Sequence, residues 1–238
     1  MRKSTRILLL AAMTACAFAS SAAAQTPPPP APGKLPPVHK FKAIDADNHS
    51  VLINRPGLIT LLLGTSEDSQ DAARAAGTAM YPLRGRPDFQ LIVVVDLRDS
   101  IATWAPSIVL SQMRSNLDEE AIALKPYFLK NGNKSNPRVS SYVIADFSGT
   151  ICPQLGWIES SGDLRGILFG ADGREIQRWD KIEDMTKLQT DVRAAIQALI
   201  DADKAKAALE AKTQGTKLMQ PLAAHPPLQP MMPPTKTD

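Results

Sequence analysis

Cysteine is nearly absent, with 2 in 238 residues. Cys16 lies in a segment expected to be removed, which leaves Cys152 alone, and a domain stapled by disulfides needs pairs. Histidine is as scarce, at 3. His39, His49 and His225 are scattered without His-x-x-x-His spacing, which argues against a zinc site. Asp45, Asp47 and His49 alternate like the start of a calcium loop. Ser50 and Pro56, however, stand where such a loop needs its glycine and its last acid, so a hairpin turn is the reading. There is no G-x-S-x-G elbow and no phosphate-cradling glycine loop. No Lys/Arg-rich run stands out, which makes nucleic acid and anionic membrane poor partners. Past the first residues, no apolar run is long enough to span a bilayer.

What is present begins with MRKSTRILLLAAMTACAFASSAAAQ. Arg2, Lys3 and Arg6 precede an apolar run, Ile7 to Ala19, and Ala22-Ala23-Ala24 forms an A-x-A cleavage site. Residues 1–24 are therefore expected to be a removable signal peptide. The alternative is a lipoprotein signal ending at Met13-Thr14-Ala15-Cys16, with Cys16 lipidated. Three of the 27 basic residues and none of the 24 acidic ones lie in residues 1–24, so the processed chain carries 24 of each. Residues 25–39 are Pro-rich and read as an extended spacer. Residues 213–238 are Pro-rich again and are expected to be a disordered tail. Residues 40–212 make one domain, long enough to be held by its own hydrophobic core.

Within that domain strand and helix signals alternate. FKAIDADNHSVLI predicts two short strands around a turn at Asp47-Asn48. Leu58–Gly64, Phe89–Val95 and Ser141–Ala145 are short apolar runs that fit strands covered on both faces. Ser69–Leu83 and Ile108–Leu129 read as helices, the second disturbed near its end by Pro126. Leu164–Gly170 and Arg174–Trp179 form a hairpin across Asp172-Gly173. A helix from Met185 to about Ala211 places Leu188, Val192, Ile196, Leu199 and Ile200 on one face. Strand–helix–strand–helix–strand, then a hairpin and a last helix, is the order of an α/β thioredoxin-like fold with a mixed central sheet and helices on both faces.

Three segments carry a family likeness. KAIDADNHSVLINRPGLITLLLG, ADFSGTICPQLGW and DLRGILFGADGREIQRW resemble, in order and spacing, the opening, middle and late hairpin of peroxiredoxin-type proteins of the thioredoxin-like superfamily. GTSEDSQDA, SQMRSNLDEEA and WIESSGDLRGILFGADGREIQRW resemble blocks of the periplasmic YtfJ-type family, a thioredoxin-like group without active-site cysteines. The likeness implies a periplasmic thioredoxin-like domain and little about chemistry.

The departures fall at the turn Thr65-Ser66-Glu67-Asp68-Ser69. Ser66-x-x-Ser69 stands in the window of a C-x-x-C pair, and Thr65-x-x-Asp68 in that of a T-x-x-C motif. A helix N-terminus stabilises a thiolate, but a hydroxyl there stays protonated and a carboxylate is already ionised. Neither exchanges disulfides or cycles with peroxide. Thr65 with Asp68 fits a capping box instead. No proline lies between Trp157 and Gly170 to supply the cis bond of a thiol-docking loop.

Cys152, in Thr150-Ile151-Cys152-Pro153, has two readings: a reactive thiol, or a small buried hydrophobe. Arg165 matches the arginine that peroxiredoxins place near their sulfur. It reads here as a strand-end residue bonding a carboxylate or carbonyl, or as the remnant of an anion pocket. Trp157 is either a partner anchor or a packing residue. Asp118-Glu119-Glu120 and Glu183-Asp184 read as solvated or helix-terminal acids. The expected function is that of an exported, redox-inactive protein without cofactor or metal, binding an envelope protein or a small ligand. The alternative is a single-cysteine peroxidase or thiol-disulfide factor using Cys152 and Arg165. In a third reading the Pro-rich tails matter more than the domain.

Overall fold

Three apolar runs become the parallel centre of the sheet. β3 (Ile59–Thr65) is buried at every position. It pairs in parallel with β4 (Phe89–Asp96), which pairs in parallel with β5 (Tyr142–Asp146). The hairpin strands β6 (Arg165–Phe169) and β7 (Glu175–Trp179) add antiparallel on the other side of β3, giving the order β5-β4-β3-β6-β7. β1 (Lys42–Ile44) and β2 (Ser50–Leu52) form a separate antiparallel hairpin. The computed structural model describes residues 39–218. The expected signal, all of the spacer but His39, and the tail from residue 219 lie outside them.

Period-two alternation sends successive β3 side chains into two different cores. Leu61 and Leu63, with Leu91 and Leu168, pack against Ala76 and Met80 and against Leu188, Val192 and Ile196. The first two belong to α1 (Gln70–Ala79) and the adjoining residue, the last three to α4 (Met185–Leu218). Leu62, Ile92, Val94, Ile144 and Ile167 face the other way, onto Val51, Ile53, Cys152, Leu155 and Trp157. α2 (Pro106–Lys130) buries Leu117, Ala121, Leu124 and Phe128, and α3 (Ile151–Gln154) is a single turn carrying Cys152. A β-α-β-α-β run followed by an antiparallel hairpin and a closing helix is a thioredoxin-like fold, with helices on both faces of a mixed sheet.

Two helices outrun their sequence limits. α2 continues past Pro126 to Lys130. Proline there removes one N–H bond, to an exposed turn, while Leu124 and Phe128 on either side are fully buried and hold the helix in register. α4 reaches Leu218 rather than Ala211, so the first residues of the expected tail are helical. From Asp201 to Ala211 every residue is exposed, and the run KAKAALEAK is rich in strong helix formers.

Candidate functional site

The β3–α1 turn sits at the carboxyl ends of β3 and β4, where open α/β sheets place their ligands. Thr65, Ser66 and Ser69 are buried, whereas Glu67 and Asp68 are exposed. The hydroxyls satisfy one another. Thr65 Oγ1 lies 3.0 Å from Ser69 Oγ and donates to Ser66 O at 3.2 Å. Ser69 Oγ accepts from Ser66 N at 3.0 Å, and Ser66 Oγ lies 3.5 Å from Ser69 Oγ. The two positions of the expected thiol window are therefore neighbours, but they hold a closed knot of oxygens.

The capping box expected of Thr65 and Asp68 does not form. Ser69 is the N-cap of α1, and no side chain bonds its first amides. Thr65 is the last residue of β3, so its side chain is committed to the turn below the helix.

In front of the turn lies a cleft of about 290 Å³, lined by Ser66, Glu67, Asp68, Asp96, Asp99 and Ser100 together with Ser160, Ser161 and Gly162. Glu67 accepts from Ser100 Oγ. Asp96 is held by Arg98 through two parallel bonds, Nε to Oδ1 at 2.9 Å and Nη2 to Oδ2 at 2.8 Å. Burial pushes the Asp96 carboxyl up, but the Arg98 bonds outweigh it and hold the group below the usual carboxylate range. Arg98 also donates to Ile158 O and Trp157 O, tying the far wall of the cleft to the end of β4.

A depressed folded-state pKa stabilises above the ordinary value of about 3.8 and loses its contribution as pH falls through the folded value. The urea midpoint of Asp96→Asn should therefore fall below wild type near neutral pH, and the gap should narrow as pH drops below 3.8. A gap that stays constant across that range would show that the pair contributes nothing through ionisation.

Cys152 is the one thiol among the described residues. It is 2 % exposed, packed with Leu155 and Trp157. Burial, then the carboxylates of Asp96 and Asp146, push it up from 9.0 to about 12. Asp146 is itself buried and accepts the backbone N–H groups of Thr150, Ile151 and Cys152 at 2.8–2.9 Å, which fixes α3 beneath the sheet. Arg165 does not join Cys152. It starts β6 opposite Gly64 and donates from Nη1 to Glu159 O at 2.9 Å. The cation that reaches Cys152 is Arg98, and its effect is outweighed.

Trp157 is 4 % exposed and lies on Gly64, where a Cβ would come within 2.5 Å of its ring. It is a packing residue. The exposed tryptophan is Trp104, 90 % accessible, just before α2, which the sequence reading did not single out. Asp45, Asp47 and His49 converge to within 4.8 Å at the β1–β2 turn. Asp45 Oδ1 accepts from Asp47 N and His49 N, and Asp47 is paired with Arg138 at 2.6 Å. Asp184 accepts the amides of Thr186 and Lys187 at the start of α4, a helix-terminal acid as expected. Glu120 is not simply solvated, because it faces the buried Arg84.

No family model matches this chain, and no curated protein matches it either. Solved structures do. The pneumococcal exposed lipoprotein thioredoxin Etrx1 of Streptococcus pneumoniae is 10 % identical with a TM-score of 0.42, over 66 % of this chain and 99 % of its own. StoA of Bacillus subtilis is 10 % identical with a TM-score of 0.41, over 64 % and 95 %. A secreted disulfide oxidoreductase of Mycobacterium tuberculosis is 12 % identical with a TM-score of 0.40, over 65 % and 95 %. They are what this chain is similar to, and the fold itself is read from its strand order and connections. That fold is thioredoxin-like, and its β3–α1 turn is lined by hydroxyls and carboxylates.

Proposed function

We propose that this is an exported, redox-inactive thioredoxin-like protein that binds a partner or ligand in the bacterial cell envelope; the YtfJ-type and peroxiredoxin-type likeness of its sequence supports the fold and the compartment. The observation that carries this reading is the β3–α1 turn. Its five side chains offer only oxygen, and its buried hydroxyls are spent on one another. Oxygen groups there can accept hydrogen bonds and attract cations, but they cannot carry electrons. The cleft in front of the turn, with exposed Glu67, Asp68 and Asp99, suits a cationic or hydroxyl-bearing group.

The single-cysteine alternative draws no support from the site. A nucleophilic thiol needs a depressed pKa and access, and Cys152 has neither. The test is turnover by the processed protein. Neither hydroperoxide consumption with an external thiol nor insulin reduction should exceed the uncatalysed rate. The double variant Ser66→Cys with Ser69→Cys should gain thiol-disulfide exchange, because those side chains already sit side by side at a helix N-terminus. Wild-type turnover that disappears with Cys152→Ser would overturn the proposal.

A further inference from the structure

A cavity larger than the cleft at the turn lies elsewhere. It measures about 580 Å³ and opens between α1 and α2 over β4 and β5, sharing no lining residue with the cleft at the turn. That size falls within the ~300–1,000 Å³ typical of small-molecule sites. Its walls are mixed: Tyr81, Leu91, Val93 and Tyr142 give an apolar and aromatic side, and Arg84 and Glu120 stand among the polar residues.

Among the lining residues is a charge that the protein only partly answers. Arg84 has a side chain 5 % exposed. Among the described residues, both hydrogen bonds of its guanidinium leave from Nη2, to Ser140 O at 3.2 Å and Ser141 Oγ at 2.8 Å. Nη1 faces Glu120 Oε1 at 3.7 Å, beyond hydrogen-bond reach. A buried cation is costly unless paired and hydrogen-bonded. Burial pushes the Arg84 pKa down, with Glu120 opposing. A guanidinium presents a planar fork that matches a carboxylate.

A second feature holds the cavity open. Gly77 stands within α1 and lines the cavity, and a Cβ built there would meet nothing within 4 Å. Glycine inside a helix is destabilising relative to other residues, and no neighbour requires it here. Its effect is to leave unfilled the space in front of it.

We propose that this cavity is a binding site for a small monocarboxylate with an apolar body, its carboxylate seated on Arg84 and its body on the Leu91, Val93 and Tyr142 wall. Glu119 and Glu120 at the α2 side repel a doubly charged phosphate about twice as strongly as a singly charged carboxylate, which favours the monoanion.

The test titrates the full chain with hexanoate and phenylacetate, and with their neutral amides, following backbone amide shifts by NMR. The acids should bind with Kd of about 1 mM or tighter, moving the resonances of Gly77, Arg84 and Tyr142. The amides should bind at least about tenfold more weakly. Gly77→Leu should fill the cavity and weaken the acids by about tenfold or more, without lowering the melting temperature, because leucine is the better helix former. Arg84→Gln should abolish the preference for acid over amide, and if that variant does not fold, Gly77→Leu alone decides. Equal affinity for acid and amide, unchanged affinity in Gly77→Leu, or no movement of these resonances at about 10 mM acid would sink the proposal.

Discussion

Unfolding should raise the rate at which Cys152 reacts with a maleimide near neutral pH by about a thousand-fold or more. The thiolate is the attacking species, and burial with the two neighbouring carboxylates moves the group from 9.0 to about 12. At neutral pH that cuts the thiolate fraction by about three powers of ten, before access is considered. With 2 % exposure, access is also denied. The sign extends to stability. A thiol pKa raised by folding stabilises below the unfolded value and loses that contribution as pH climbs from about 9 towards 12. The measurement is labelling in native buffer against labelling in urea, read by intact mass. Comparable rates in the two conditions would mean that Cys152 is open to solvent and that its neighbours do not hold it protonated.

Trp157→Ala should cost about 3–5 kcal/mol of unfolding free energy, the range for emptying a buried tryptophan site. The residue closes the core beneath the sheet with Cys152 and Leu155, and its ring covers Gly64, the residue before the turn. Two companion variants separate packing from polarity. Trp157→Phe should cost much less than alanine, because the indole N–H has no acceptor among the described residues and its loss removes an unsatisfied group. Gly64→Ala should itself cost about 1–3 kcal/mol, since the new methyl would stand 2.5 Å from the ring and either β3 or Trp157 must shift. Urea midpoints followed by far-UV circular dichroism measure all three. An alanine variant as stable as wild type would mean that this ring does not close the core.

How much of this was written in the sequence differs by element. The strands and the helices α1, α2 and α4 were legible because apolar runs and helical periodicity are local signals, and the Asp172-Gly173 turn announced its hairpin. The short helix α3 was not, since a single turn held by Asp146 reaching forward to three amides leaves no periodic trace. The turn at residues 65–69 could be located by its spacing, but its hydrogen bonding could not. A capping box and a hydroxyl knot use the same residue types, and only the end of β3 at Thr65 decides between them. Arg84 was passed over altogether. It follows a short 3₁₀ turn in an unremarked run, and its partners Ser140 and Ser141 lie more than fifty residues away.

The sequence by itself determined the strand and helix order, the scarcity of thiols and the oxygen chemistry of the turn, because composition and period are properties of neighbouring residues. The tertiary structure alone decided which tryptophan is buried, that Arg165 and Cys152 act apart, and that a cation lines an open cavity. Those facts depend on which distant segments the sheet brings together, and on how much space the packing leaves between them.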